Sequence, residues 1–455
     1  MTTLKNKSIQ NPSFYKAVSA IAIPIALQSL IQTSLSMIDQ MMVARLGSSA
    51  MAAAGLGSRP FTILFFLLLG VTGGVGIFAA QYWGNKEPDK FPDLMQLGFH
   101  TGLIVVAFVQ LPSLLGARPI MKLFTTDSEV ISLGAGYMVI LSFSFLPMLL
   151  IMLYSSVLKS ADIVKLPVFA GFISVLFNTL LNYLFIFGHG GFPQLGVNGA
   201  ALATVLARII ECAVLIGMVQ YRNLPAKVTL RKLITLNRHP ILEKEFIKMT
   251  FPLLLGELVF VSSITFYAAL YGRMGTQEMA AMTVLFPLQG ITFGLFSGLS
   301  TAAAVLLGQH LGAGNLLIAR NYAFRFLKLG FLFTVVLCLQ FALILPIYLK
   351  WFNLEPSIYQ IAWQLILTSL FFLPIQVTNM IIGDGVLRSG GQTTFLLKMT
   401  LVTLWGIGVP LGIYTAFILK LPLYLVFAAV SFEEIIRMGM GIYRTYSNKW
   451  LVQLT

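Results

Sequence analysis

The amino-acid sequence predicts an all-α polytopic membrane protein with twelve transmembrane helices, arranged as two six-helix lobes related by a parallel internal repeat. Three observations predict this class. Of the 455 residues, 57% are hydrophobic and only 10% are charged; apolar segments of membrane-spanning length follow one another; and part of the first half recurs in the second. A water-soluble domain cannot hide so much apolar surface. Soluble enzymes and nucleic-acid-binding proteins are therefore excluded, despite the net charge of +14.

Each apolar segment is long enough to cross a membrane as a helix. About 20 residues of α-helix span the roughly 30 Å hydrocarbon core. The strands of a β-barrel would instead alternate apolar and polar residues, and these segments do not alternate. The predicted spans are residues 16–38, 53–80, 97–116, 131–157, 167–187, 196–219, 248–270, 281–308, 327–349, 359–383, 396–417 and 421–442.

The distribution of lysine and arginine predicts the orientation of the chain. Most of these residues lie in the N-terminal segment, the even-numbered loops and the C-terminal segment. By the positive-inside rule, both termini are cytoplasmic, as expected of a multi-pass protein of the cell's inner (plasma) membrane. We place a single basic residue, Arg208, in the middle of a span. Cys212 and Cys338 lie in apolar runs and are interpreted as small core residues, not as a disulfide or metal pair.

An internal repeat divides the chain. Residues 22–84 align without a gap with residues 250–312, and this alignment places Pro24 on Pro252 and Gly84 on Gly312. Because each half holds an even number of spans, both halves have the same orientation, which is the parallel-repeat arrangement of rocking transporters. The predicted units are an N-terminal lobe (1–220), a basic cytoplasmic linker (221–245) and a C-terminal lobe (246–455).

Two acidic residues lie inside predicted spans of the repeat. Asp39, near the end of the first span, aligns with Tyr267, and Glu257, in the seventh span, aligns with Ser29. The shared scaffold therefore requires neither acid. Ionisable groups at membrane depth are costly and usually face a cavity or a partner, so the alignment favours a functional role for both.

Polar residues of the fifth and sixth spans are candidate partners for Asp39. Asn178 and Asn182 are four residues apart and share one helical face, and Thr204 lies in the next span. One carboxylate, two amide oxygens and a hydroxyl would suit a small hard cation or a proton carrier. The alternative is that these side chains only form hydrogen bonds between packed helices.

Pro24 and Pro252 are each expected to bend the first helix of a lobe, because proline removes a backbone hydrogen bond and crowds the preceding turn. Such bends would suit gating helices, or they are static kinks.

The other charged residues within or near the spans are interpreted as local features. Glu211 is interpreted as an ion-pair partner of Arg208 rather than a proton site, and Glu433, Glu434 and Arg437 as a cluster on a helix face. Asp384, toward the cytoplasmic end of the tenth span, either takes part in transport or is only exposed to water, and the second interpretation is favoured.

Motifs for other chemistries are missing from the sequence. It contains no GxxxxGK[ST] nucleotide-binding motif, and its histidines have no metal-ligand spacing. We therefore expect no enzyme activity, no structural metal and no cofactor. A membrane-embedded enzyme would require a catalytic histidine or metal cluster at depth, and a major-facilitator transporter would carry a basic motif between spans two and three. A flippase for a lipid-linked glycan would line its cavity with several basic residues for pyrophosphate.

Several segments together carry a resemblance to a known family. They are Pro24, Asp39 and Leu46-Gly47; QYWGNK at 81–86, mirrored by QHLGAGN at 309–315; residues 177–205; GVLRSGGQT at 385–393; and the terminal YRTYSNKW. In these segments the chain resembles the multidrug and toxic compound extrusion (MATE) family, NorM- and DinF-like, within the superfamily that includes lipid-linked oligosaccharide flippases.

The resemblance implies two lobes around a cavity that opens alternately to each side of the membrane. It implies export of bulky, cationic or amphipathic organic compounds in exchange for inward Na⁺ or H⁺, with membrane lipids as neighbours and a monomeric chain. Flippase activity toward a lipid-linked glycan is the alternative. Asp39, Asn178, Asn182 and Thr204 match the family's cation-linked site of the N-terminal lobe, and Glu257 matches the C-lobe acid of the NorM-like branch. The chain departs from relatives that have Asp at the position of Asn182, and from NorM-like members that have a second C-lobe acid near residues 377–379.

Overall fold

The predicted all-α class is confirmed. The computed structural model describes residues 12–235, 240–352 and 354–455, and in these residues it contains helices and no β-strand. The helices of the first half and the connection are α1 (Pro12–Ala44), α2 (Ser48–Gly57), α3 (Arg59–Gly84), α4 (Phe91–Leu115), α5 (Ala117–Lys122), α6 (Ser128–Ser142), α7 (Phe145–Ser160), α8 (Lys165–Phe187), α9 (Val197–Tyr221) and α10 (Leu230–Ile234). Short 3₁₀ turns lie at Pro88–Lys90 and His189–Gly191.

The second half contains longer helices and three π-helical segments. Its helices are α11 (Pro240–Met274), α12 (Thr276–Gly312), α13 (Leu316–Lys350), α14 (Pro356–Met380), α15 (Thr393–Thr400), α16 (Val409–Ile413) and α17 (Leu423–Tyr446). The π-helical segments are Ile381–Leu387, Leu401–Gly408 and Tyr414–Ile418. A π-helical turn holds more residues than an α-helical turn and is frequent at functional sites.

The twelve predicted spans each coincide with helical structure. Among the described residues, ten helical stretches are long and apolar enough to cross a membrane, and α6 and α7, bent by 45° at their junction, together make an eleventh. The twelfth predicted span corresponds to α17, whose 24 residues would also reach across the hydrocarbon core. The chain is therefore a multi-pass membrane protein.

Pairing of helices between the two halves follows the repeat. The helix α1 packs against α12, and its repeat equivalent α11 packs against α3. Both contacts use glycine for close backbone approach. A Cβ atom built on Gly70 of α3 would lie 3.0 Å from the Cα of Leu254, and one built on Gly298 of α12 would overlap the carbonyl of Ala22. The two halves thus meet along a pair of equivalent, tightly packed helix contacts, as small residues allow in membrane proteins.

The C-terminal ends of α3 and α12 form a second symmetric contact, here called the paired-glutamine contact (Gln81, Gly84, Gln309 and Gly312). Gly84 lies directly on the main-chain carbonyl of Gln309, and Gly312 lies on that of Gln81. The Gln81 side chain also accepts a hydrogen bond of 2.7 Å from the amide of Leu454. The two halves are therefore closed upon each other at this end of the helices.

Three large apolar clusters fill the interior. The first contains Leu68, Phe78 and Leu149 of the N-terminal half, and another contains residues of α12, α14 and α17. The remaining cluster joins the two halves and includes the fully buried ring of Trp450. Large apolar side chains such as Phe108 stay exposed, which is what a lipid-facing surface requires.

The segment between the halves is partly helical. Residues 221–245, predicted as the linker, contain α10 and the first residues of α11. Lys232 forms an ion pair of 2.9 Å with Asp93 at the start of α4. His239 lies outside the described residues. The division into two lobes and a linker stays a prediction, and so does helix bending at Pro24 and Pro252, which both lie inside uninterrupted helices.

Candidate cation-coupling site

The predicted N-lobe residues are brought together by three neighbouring helices. Asp39 lies on the last turns of α1, Asn178 and Asn182 lie on one face of α8, and Thr204 lies on the first half of α9. The helices α8 and α9 pack closely, and α1 packs along α8. The spacing of four residues in α8 places both carboxamides toward Asp39 and Thr204.

These four side chains form a continuous hydrogen-bonded series. Asn182 Nδ2 donates to Asp39 Oδ1 at 2.7 Å and lies 3.3 Å from Asn178 Oδ1. Asn178 Nδ2 donates to Thr204 Oγ1 at 3.3 Å, and the Thr204 hydroxyl donates to the main-chain carbonyl of Ala200 at 3.0 Å. The sequence-predicted residues are therefore in contact, with the half-buried Asp39 carboxylate at one end.

One oxygen in this series has no partner. Asn182 is only 2% exposed, and within the described part of the chain its Oδ1 accepts no hydrogen bond. A buried polar atom without a partner costs about 1–3 kcal/mol. The Asn182 Oδ1 atom and the Asp39 carboxylate are oxygen ligands of the kind that a hard monovalent cation binds. Protonation of Asp39 would instead turn its carboxyl group into a hydrogen-bond donor.

The C-lobe acid Glu257 is already paired. Arg388 Nη2 lies 3.3 Å from Glu257 Oε1, and Arg388 Nη1 lies 3.4 Å from Asp384 Oδ1. The Arg388 side chain is 16% exposed, and a Cβ atom on Gly73 of α3 would lie 2.7 Å from its Nη2. Arg388 was expected in a loop; the structure instead places it between the halves. Asp384 is exposed, as expected, with 56% of its side chain accessible, although it also shares Arg388.

A second polar cluster of the C-terminal half, here called the α17 cluster, was not predicted as a site. Arg437 lies 3.2 Å from Glu433 Oε2 and 3.8 Å from Glu434 Oε2, and its guanidinium donates to Thr403 Oγ1 of the neighbouring π-helical segment. Asn379 of α14 donates to Glu434. The three charged residues cluster on one helix, as predicted, and their side chains face the protein interior. Their position within an apolar span is the sequence signal that could have indicated a buried polar site.

The ion pair predicted between Arg208 and Glu211 is confirmed, at 2.8 Å. Arg388 and Arg437 also lie among helices of the C-terminal half, each within 4 Å of two carboxylates. An ion pair lowers the cost of placing a charge in a membrane helix. That Arg208 is the only basic residue at mid-span stays a prediction.

A helical membrane protein built from two repeated halves, with a half-buried carboxylate hydrogen-bonded to an amide inside one half, has the repeated architecture known from membrane transporters. A sequence model of the MatE family matches residues 24–184 and 252–414, so that each match begins at a repeat-equivalent proline. The chain belongs to the MatE family, and the predicted family resemblance is confirmed.

Relatives from several bacteria carry the same name. The protein from Rhizobium meliloti called "Probable multidrug resistance protein NorM" is 25% identical over 417 residues, which cover 90% of this chain and 88% of the relative. The protein of the same name from Thermotoga maritima is 22% identical over 451 residues, covering 96% of this chain and 94% of the relative.

Solved structures share the fold over almost the full length. A MATE protein in complex with MaL6 superposes with a TM-score of 0.86 at 18% identity, covering 96% of this chain and 97% of the other. A MOP superfamily transporter from Pyrococcus furiosus superposes with a TM-score of 0.85 at 18% identity, with the same coverage. At this identity the likeness establishes the fold.

Proposed function

We propose that this chain is a secondary active antiporter that exports bulky organic cations or amphiphiles in exchange for inward Na⁺ or H⁺. In this proposal it acts as a monomer in the inner (plasma) membrane, with both termini in the cytoplasm, and uses no cofactor besides the coupling ion. Membership in the MatE family and the multidrug-resistance names of the relatives support a drug efflux function. The coupling site consists of Asp39, Asn178, Asn182 and Thr204.

The unpartnered oxygen of Asn182 beside Asp39 carries the assignment of the coupling site. Asn182 Nδ2 donates to the Asp39 carboxylate at 2.7 Å, while Asn182 Oδ1 has no hydrogen-bond partner in the part of the chain that the structure describes. A Na⁺ ion would bind the Asp39 carboxylate together with amide and hydroxyl oxygens of the series. A proton would sit on the carboxyl group of Asp39, which could then donate a hydrogen bond. Either cation would neutralise the negative charge of the Asp39 carboxylate, which is costly at membrane depth.

Occupancy of Asp39 can reach the contact between the halves through α1. Ten residues earlier on this helix, Ser29 lies 3.2 Å from Ser297 of α12, and a Cβ atom on Gly294 would lie 3.2 Å from Ser29 Cβ. A ligand shifts a conformational equilibrium only through different affinities for its states. Because α1 contributes both to the site and to the contact with α12, a shift of α1 on cation binding would alter lobe packing.

The polar residues of the C-terminal half are less suited to a lipid-pyrophosphate substrate. Its buried arginines, Arg388 and Arg437, each lie within 4 Å of two carboxylates, so neither offers a free positive charge to a phosphate. By contrast, Phe66 of α3 and Phe260 of α11 approach with ring centroids 5.8 Å apart across the halves. Aromatic faces suit flat organic cations, and this favours drug-like substrates over the flippase alternative.

The test is efflux of a fluorescent organic cation from proteoliposomes, driven separately by a Na⁺ gradient and by a pH gradient. We expect efflux with one of these gradients, and loss of the gradient-driven component in Asp39→Asn. Asp89→Asn is the matched control, because Asp89 is an exposed carboxylate in the turn before α4. If Asp39→Asn transports as well as the parent under every gradient, the assignment of Asp39 is wrong. If no gradient drives efflux, the antiport proposal is wrong.

A further inference from the structure

The closed end of the molecule contains two equivalent hydrogen bonds between the halves. Gln81 Nε2 of α3 donates to the main-chain carbonyl of Ser389 at 2.9 Å, and Gln309 Nε2 of α12 donates to that of Ser160 at 3.0 Å. Ser160 ends the sequence LKS and Ser389 ends the sequence LRS, so the two acceptors are also related by the repeat. This part of the contact between the halves is therefore symmetric.

One segment breaks this symmetry. Residues 447–454, here called the strap, follow α17 and reach the paired-glutamine contact. Gln81 accepts a hydrogen bond from the amide of Leu454 at 2.7 Å and donates one to the main-chain carbonyl of Val452 at 3.2 Å. The equivalent Gln309 donates instead to the exposed side chain of Asp162 at 3.0 Å. The strap therefore adds two hydrogen bonds at Gln81 where the counterpart at Gln309 is one exposed aspartate.

The first part of the strap is held by the C-terminal half. The Trp450 ring is fully buried. Gln392 Nε2, just before α15, donates to the main-chain carbonyl of Lys449 at 2.9 Å, and Gln453 Nε2 donates to the main-chain carbonyl of Gly312 in α12 at 3.0 Å. The strap is thus fastened to α12 and α15, and its bonds to Gln81 cross to the other half.

These crossing bonds cannot survive opening at this end. Transporters built from two repeated halves change access by rocking one half against the other, and such a motion here would move α3 away from α12. Gln81 would then lose the Leu454 amide and the Val452 carbonyl. The Leu454 side chain, which packs against the apolar cluster that contains Phe78 of α3, would lose part of its contact as well.

We propose that the strap is a latch, which stabilises the closed end and must release Gln81 before the cavity opens toward the side that the sequence predicts to be cytoplasmic. One hydrogen bond changes an equilibrium by roughly 2-fold to 12-fold. The two bonds to Gln81 therefore favour the closed end by roughly 5-fold to 150-fold. The inference deepens the proposed antiport function, on which it rests for the role of the latch in transport.

The test measures the open fraction at this end by electron spin resonance distances, which require no transport. The full-length chain, reconstituted in lipid, carries nitroxide labels at Lys90 and Asn321, two exposed residues of different halves, in a background with Cys212 and Cys338 replaced by alanine. Leu454→Pro removes the amide group that donates to Gln81. Leu454→Ala is its matched control, because it shortens the side chain and keeps that amide.

A deletion of residues 451–455 covers the case in which proline disturbs the fold of the strap. It removes both bonds to Gln81 and that of Gln453, and it keeps the buried Trp450. Tyr446→Ala is the control for the deletion, because Tyr446 lies just before the strap and is 61% exposed.

We expect the ratio of long to short distances to rise about fivefold in Leu454→Pro relative to Leu454→Ala, and at least tenfold in the deletion variant, as loss of one bond and of several bonds requires. Tyr446→Ala should match the parent. Equal distance distributions in Leu454→Pro and Leu454→Ala, or in the deletion variant and the parent, would overturn the inference. If the distances change as expected while no ion gradient drives efflux by the parent, the antiport proposal fails and the latch stands.

Discussion

The paired-glutamine contact predicts that a single methyl group opens the closed end of the molecule. In Gly84→Ala, the new Cβ atom would overlap the main-chain carbonyl oxygen of Gln309 and lie 2.7 Å from its carbonyl carbon and 2.8 Å from its Cα. These are backbone atoms of α12 and cannot rotate away. The ends of α3 and α12 must therefore separate.

The size of the effect follows from the cost of overpacking. Forcing an extra carbon into a well-packed contact typically costs about 1–3 kcal/mol. At about 1.4 kcal/mol per tenfold change, this cost lowers the population of the closed end relative to open conformations by about 5-fold to 150-fold. Gly312→Ala should act equally, because its Cβ atom meets the Gln81 backbone in the equivalent way.

The population can be measured by electron spin resonance distances between nitroxide labels at Asp89 and Leu317. Both residues are exposed, and they lie beyond the ends of α3 and α12. The native Cys212 and Cys338 are replaced by alanine in this background. We expect a longer distance population to grow in Gly84→Ala. The matched control is Gly217→Ala in α9, where a Cβ atom would meet nothing within 4 Å. If Gly84→Ala and Gly217→Ala give the same distance distribution as the parent, the closure argument is refuted.

Two further substitutions test the interior of the C-terminal half. Arg388→Met leaves Glu257 without its ion pair and should destabilise the protein by about 3–5 kcal/mol; a thermal unfolding assay should show recovery when Glu257→Gln is added, and no recovery would contradict the pairing. Trp450→Ala empties the fully buried site of the indole ring and should cost about 3–5 kcal/mol. A thermal stability equal to that of the parent would show that the terminal segment does not pack in detergent as described.

Much of the fold could be predicted from the sequence, because the length of each apolar segment and the repeat that aligns without a gap can both be read directly from it. The predicted spans coincide with helical structure, and the repeat explains why α1 packs on α12 as α11 packs on α3. The bend of 45° between α6 and α7 was not predicted. Pro147, in the first turn of α7, gives a local reason for the break, because it has no N–H group to donate to the Phe143 carbonyl and its ring crowds that carbonyl.

The N-lobe site could be predicted because its geometry is local. Asn178 and Asn182 are four residues apart in a regular α-helix, so their shared face follows from the helical period. Only their meeting with Asp39 and Thr204 required the packing of α8 against α1 and α9.

The C-lobe interactions could not be predicted, because three π-helical segments interrupt the helical period. Ile381–Leu387 directly precedes Arg388, and Leu401–Gly408 holds Thr403. A π-helical turn holds additional residues and so rotates the side chains that follow it relative to an α-helix. Arg388 therefore contacts Glu257 and Gly73 instead of lying in a loop, and Thr403 contacts Arg437.

The paired-glutamine contact also bears on how such a chain could originate. Each half offers the same glutamine and glycine to the other, so the interface is isologous, one surface meeting a copy of itself. An ancestral chain of six spans would have needed no partner of different sequence: two identical copies inserted in the same direction could close on each other as a homodimer. Fusion through a linker would make that association permanent. The two interiors could then differ in sequence, as Asp39 and its repeat equivalent Tyr267 do, while the contact between the halves keeps the same residues.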